Sequence, residues 1–135
     1  MANTIRLEIV TPEATVYSED VEMVTLPGVE GQMGVLPHHV RLMTQMIPGE
    51  LIVRKAGRTD FMAVGEGLVD VTGERVSILT NMAISVDKID AAAAEEARQR
   101  AAARLKEKIS AEEVASVNAA LARSLAQLKV KRRNR

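Results

Sequence analysis

The chain has 135 residues, no cysteine, one tyrosine and one phenylalanine, with 18 Lys/Arg balanced against 18 Asp/Glu. Its length fits one domain or two small ones. Lack of cysteine excludes a disulfide framework, a thiolate nucleophile and a cysteine zinc site. Two aromatic rings argue against base stacking on single-stranded nucleic acid and against an aromatic-lined pocket.

The balanced charge conceals two halves. Residues 1–86 hold 6 Lys/Arg and 11 Asp/Glu, and residues 87–135 hold 12 and 7; nothing acidic follows Glu113. The second half is therefore suited to something negative: an acidic protein face, a nucleic acid, or the first half itself. All 8 glycines and all 4 prolines lie between Pro12 and Gly73. The N-terminus "MANTIRLEIV" shows no signal or transit pattern, and no apolar run approaches a bilayer span. No direct membrane insertion is expected.

In chain order, "IRLEIV" alternates with Ile5, Leu7 and Ile9 on one face, as a strand does. "EATVYSEDVEMVTLPG" is rich in strand formers, with a polar break expected at residues 18–20. "GVEGQMGVLPHHV", residues 28–40, reads as a loop. Pro48 and Gly49 suit the centre of a type II turn. Further turns are expected at Ala56, Gly57 and Arg58, and at Thr72 and Gly73. Short strands at this spacing predict an antiparallel sandwich or flattened barrel.

From residue 87 the pattern becomes helical. Asp87 and Asp90 are candidate N-caps. Ala93, Ala97, Ala101, Leu105 and Ile109 draw a small-residue stripe on a first helix. Ser110 and Glu113 form the S-x-x-E capping box of a second, with Val114, Val117, Leu121, Leu125 and Leu128 as its seam. "KVKRRNR" is expected to fray. An alanine contributes about 0.8 kcal/mol on burial against roughly 1.5–3 for leucine or valine, so the hairpin is expected to dock reversibly.

Chemistry is sparse. His38 and His39 are adjacent, with no third ligand and no triad partner in view. Gly28, Gly31 and Gly34 match neither the dinucleotide nor the Walker spacing. No cofactor, metal site or catalytic residue is called. The basic tail has no recognition-helix signals beside it, so no nucleic-acid partner is called either.

The whole pattern resembles a known family. "VTPEATVYSEDVEMVTLPGVEGQMGVLPHHVRLMTQMIPGEL", "GEGLVDVTGERVSIL", "IDAAAAEEARQRAAARLKEKIS" and "ALARSLAQLKV" are similar, in that order, to the epsilon subunit of bacterial F-type ATP synthase. The resemblance implies an α+β fold: a flattened sandwich of about ten strands at 1–86, followed by a regulatory two-helix hairpin at 87–135. It implies a non-catalytic rotor subunit that couples proton flow through the c-ring to ATP synthesis from ADP and phosphate. The implied partners are the gamma subunit, the c-ring and, transiently, the alpha/beta catalytic head, where the extended hairpin restrains ATP hydrolysis. The implied location is peripheral, on the cytoplasmic face of the bacterial inner membrane.

Residue by residue, Glu30, Gly31, Gln32, Met33, His38 and His39 match the family's ring-contact loop. Arg123 and Lys129 match the basic face that meets the beta subunit. Some members bind ATP through I/L-D-x-x-R-A. Ile89, Asp90 and Arg123 match part of that site, but Ala93 replaces its arginine, so weak or absent ATP binding is expected. Gln32, His38, Glu66 and Asp70 depart from the family's usual residues. The alternative is a free-standing adaptor with a sandwich and a basic helical hairpin.

Overall fold

A computed structural model describes residues 3–134. Ten strands come first: β1 Ile5–Val10, β2 Thr15–Val21, β3 Met23–Gly28, β4 Gly31–Val35, β5 Leu42–Met46, β6 Gly49–Lys55, β7 Arg58–Val64, β8 Gly67–Val71, β9 Arg75–Thr80 and β10 Ala83–Ser85. A single 3-10 turn, Val86–Lys88, leads to helices α1 Ala91–Leu105 and α2 Ala111–Arg133. This is the expected α+β arrangement of a ten-stranded sandwich and a helical hairpin.

The strands form two layers. One runs β10-β7-β6-β3-β4 and the other β5-β8-β9-β1-β2, and they join where Gly28 meets Met46. All pairings are antiparallel except β1 with β9, a departure from the purely antiparallel expectation. Alternation along the strands sends Ile5, Leu7 and Ile9 inward to meet Val24, Leu26, Leu51 and Val53 from the opposite layer. Burying both apolar faces against each other removes the exposed face that a lone sheet would leave.

Local details correct the sequence reading. Residues 18–20 do not break a strand; β2 runs through them. It is an edge strand, and Arg6 on β1 bonds both Ser18 Oγ (2.8 Å) and Asp20 Oδ1 (3.3 Å) across the pair. Polar residues suit such an edge, where water and charge discourage stray pairing. Pro48 and Gly49 make no type II turn, because the positive-φ glycines of the described residues are Gly31 and Gly57. Gly49 instead packs close to Pro27, where a Cβ would sit a tight 3.1 Å from the ring. Ala56 and Gly57 do form the tight turn between β6 and β7, both with positive φ.

Asp90 caps α1, accepting from the Ala93 N–H at 3.1 Å, while Asp87 stays in the 3-10 turn. Ser110 caps α2 by accepting from the Glu113 N–H (3.1 Å). Glu113 does not complete the box. Its carboxylate takes Arg104 Nη2 at 2.6 Å instead, tying the end of α1 to the start of α2. Helix α1 buries Ala94 and Ala101 and exposes Ala93; α2 buries Ser124 on one side and Ala126 and Val130 on another, and exposes Leu125. The basic tail does not fray through Arg133; its last residue, Arg135, lies outside the described residues.

Candidate partner interface

Residues 28–40, read as one loop, are a strand between two turns. Val29 and Glu30 form a two-residue turn across the Gly28–Gly31 pair, with Gly31 at φ 124°. Strand β4 then follows, with Met33 and Val35 pointing inward. The low strand propensity of the glycines gave way here to cross-strand pairing with β3. The second turn holds Pro37, His38 and His39. His38 has φ 67°, and its N–H donates to the Gly73 carbonyl at 2.9 Å. His39 Nδ1 lies 2.8 Å from the Val40 carbonyl oxygen, which can only accept from it.

The six ring-loop residues therefore split. Glu30, Gly31 and Gln32 cluster at one end of β4, and His38 and His39 lie beyond the other end. A five-residue strand spans roughly 17 Å at 3.3 Å per residue, which is the separation between the two groups. Among the described residues, no three His, Cys, Asp or Glu side chains gather as a metal-holding group.

The Gly31 end has neighbours the sequence did not announce. A cleft of about 360 Å³ there is lined by Gly31, Gln32 and Pro48, and also by Glu50, Lys129 and Arg133. Lys129, expected to face a different partner, thus sits beside the glycine turn. Arg123 lies six residues earlier on α2, about 240° round the helix. The two basic residues do not share one face in this docked form.

The two outer faces of the sandwich differ. Helix α2 covers the face made by β6 and β7, where Ala63, Ile89 and Val130 are buried together with Phe61, Met82 and Ile84 beside them. The opposite outer face, on β5, β8 and β9, is bare. Leu68 pairs directly with Leu79, and Met43 lies diagonal to Leu68 across the β5–β8 pair. These three side chains are 51%, 55% and 72% exposed. Apolar side chains grouped in this way on an outer face mark an interaction surface.

Polar contacts fix the docked helix. Arg123 Nη1 donates to Glu66 Oε1 (3.1 Å), and the Asn81 amide donates to the same oxygen. Lys131 Nζ donates to the Val86 carbonyl (3.2 Å), and Asn134 Nδ2 donates to Glu50 Oε2 (2.8 Å). No local pattern in the sequence marks Glu50, Asn81 or Asn134 for a role. Glu66 was visible only as a departure from a family pattern, flanked by Gly65 and Gly67.

The residues matching part of a nucleotide site are not assembled. Ile89 packs against Val130, seven residues and about 10 Å along α2 from Arg123. Asp90 is committed to the α1 N-terminus and Arg123 to Glu66.

Family models and relatives agree with this architecture. The model described as the ATP synthase delta/epsilon chain beta-sandwich domain matches residues 4–86, and that of the long alpha-helix domain matches 87–132. The ATP synthase epsilon chain of Herpetosiphon aurantiacus is 43% identical, over 97% of this chain and 98% of its own length. That of Desulforamulus reducens is 39% identical, over 96% and 98%. Among solved structures, a chain of the Euglena gracilis mitochondrial ATP synthase, in an OSCP/F1/c-ring assembly, matches with a TM-score of 0.78 at 26% identity. That match covers 96% of this chain and 81% of the other.

Proposed function

The chain belongs to the ATP synthase delta/epsilon family as an epsilon-type subunit of an F-type ATP synthase, and on that premise we propose that it is a non-catalytic part of the rotor. In this reading it links the gamma subunit to the c-ring and restrains ATP hydrolysis through its hairpin.

The observation that carries the reading is the contrast between the two outer faces. One is covered by the chain's own α2. The other leaves Met43, Leu68 and Leu79 in water on the neighbouring strands β5, β8 and β9. Burying a leucine stabilises by about 1.5–3 kcal/mol, so three adjacent apolar side chains provide the core of a partner contact. We assign this bare face to gamma. The Gly31 end, with its positive-φ glycine turn and exposed Glu30 and Gln32, is assigned to the polar loops of the ring. The hairpin supplies Arg123 and Lys129 to the catalytic head once it leaves the sandwich.

No helix among the described residues is long and apolar enough to cross a membrane. Attachment at the cytoplasmic face of a bacterial inner membrane then follows through the ring. Co-expression with gamma and c subunits tests the reading. Wild-type chain is expected to co-purify with both, and Leu68→Asp combined with Leu79→Asp to lose gamma. Co-purification of neither with wild-type chain would overturn it.

A further inference from the structure

Helix α2 meets the sandwich through one fully buried apolar side chain, Val130, with a carboxylate toward either end of the contact. Arg123 is held by Glu66. Arg133 Nη1 lies 3.0 Å from Glu50 Oε1, and Glu50 is almost wholly buried. Arg123 and Arg133 are ten residues apart, about 15 Å along the helix.

The Glu66 corner is shaped to receive an arginine. Thr80 Oγ1 donates to the Glu66 carbonyl at 2.8 Å, which fixes the backbone. A Cβ on Gly65 would lie 2.2 Å from Asn81 Oδ1 and 3.4 Å from Arg123 Cδ, so glycine gives both side chains room to close over the carboxylate. A Cβ on Gly67 would strike the Leu79 carbonyl oxygen at 2.2 Å. The turn between β7 and β8 does not itself demand a glutamate at this position, because its side chain is 42% exposed and its side-chain partners are Asn81 and Arg123.

We propose that Glu50 and Glu66 form an internal acidic site that imitates the external surface bound by the basic side chains of α2, so that hairpin release is an exchange of one spaced carboxylate pair for another. The external partner is then an acidic protein segment with carboxylates about 15 Å apart on one face. The inference rests on the rotor reading for its partner, while the internal site is a property of the chain alone. Ion pairs at a protein surface are weak and screened by salt. That makes the hold exchangeable, and the spacing makes it selective.

Hydrogen exchange of the isolated full-length chain tests the internal site. Glu66→Gln is expected to speed exchange in the docked stretch of α2 by about two- to fivefold and to leave the strands unchanged. Unchanged strand exchange also shows that the variant folds. The charge swap Glu66→Arg with Arg123→Glu is expected to restore protection, which a merely structural role would not do. Two synthetic helical peptides of equal composition probe the exchange. One carries glutamates eleven residues apart, and the other carries them within one turn. The spaced peptide is expected to release α2 at a lower concentration. The proposal is overturned if Glu66→Gln leaves α2 unchanged, if the swap fails to restore protection, or if the two peptides act alike. None of these results bears on co-purification with gamma and c subunits, which tests the rotor reading separately.

Discussion

Arg133 Nη1 lies 3.0 Å from Glu50 Oε1, joining the last turn of α2 to a carboxylate whose side chain is 3% exposed. No aligned hydrogen bond reaches that oxygen, so the attraction is between charges, while Asn134 satisfies the other oxygen. Removing one partner of a fully buried pair costs about 3–5 kcal/mol. Here Arg133 is more than half exposed, and lifting α2 would return Glu50 to water. Arg133→Ala is therefore expected to cost only as much as docking is worth, on the order of 1–2 kcal/mol. Proteolysis should show α2 cut faster and the sandwich intact. Equal cleavage rates in the variant and the wild type would count against the contact.

The bare face gives a sharper contrast between folding and binding. Leu79→Asp places a charge where the wild-type side chain already meets water. Such surface changes usually move stability by no more than about 0.5 kcal/mol. Chemical denaturation should therefore give a near-wild-type midpoint, whereas assembly with gamma should weaken by at least tenfold, about 1.4 kcal/mol. Parallel losses of stability and assembly would indicate a core position instead.

How much of this was legible in sequence depends on the kind of signal. Core alternation in Ile5, Leu7 and Ile9 was plain, because period two follows directly from strand geometry. The caps at Asp90 and Ser110 were plain for the same local reason. Strand β4 was hidden by its glycines, although Met33 and Val35 alternate within it. The seam of α2 was misjudged at Leu125, because hydrophobicity does not say which stripe meets a partner and small Ser124 and Ala126 allow closer approach. The charge asymmetry left three targets open, an acidic face, a nucleic acid or the first half of the chain. Glu50 and Glu66 supply the third, through pairs 83 and 57 positions apart that no local pattern reveals.

Removing residues 87–135 separates the two proposed roles. The sandwich keeps its own apolar core, built from β1, β3, β6 and their neighbours, without help from the helices. Truncation uncovers Ala63 and Ile84, a small patch beside that core. The shortened chain is expected to fold and to assemble with gamma and c subunits. ATP hydrolysis by the resulting complex should rise severalfold over the full-length complex, a change of about 1 kcal/mol or more in the balance of states. Unchanged hydrolysis would remove the restraining role and leave the coupling role in place.

Acid should loosen the helices before it reaches the sandwich core. The Arg98 guanidinium hydrogen-bonds Glu95 and holds its carboxyl below the ordinary range; Gln99 adds a second bond. The Ser85 hydroxyl does the same for Asp87 at the entrance to the hairpin, aided by a backbone bond. A carboxyl with a lowered folded pKa stabilises the fold fully above its unfolded value. That contribution disappears as pH falls through the lowered folded value, beneath the ordinary carboxylate range. The core cluster between the two layers is apolar, and the buried strand carboxylate, Glu50, faces α2 rather than that cluster. Helical circular dichroism of the full chain should therefore stay flat from neutral pH down to the carboxylate range and then fall. Glu95→Gln should begin with a slightly weaker helix and show a shallower acid transition. A variant that titrates as steeply as wild type would show that the Glu95–Arg98 pair contributes nothing to hairpin stability.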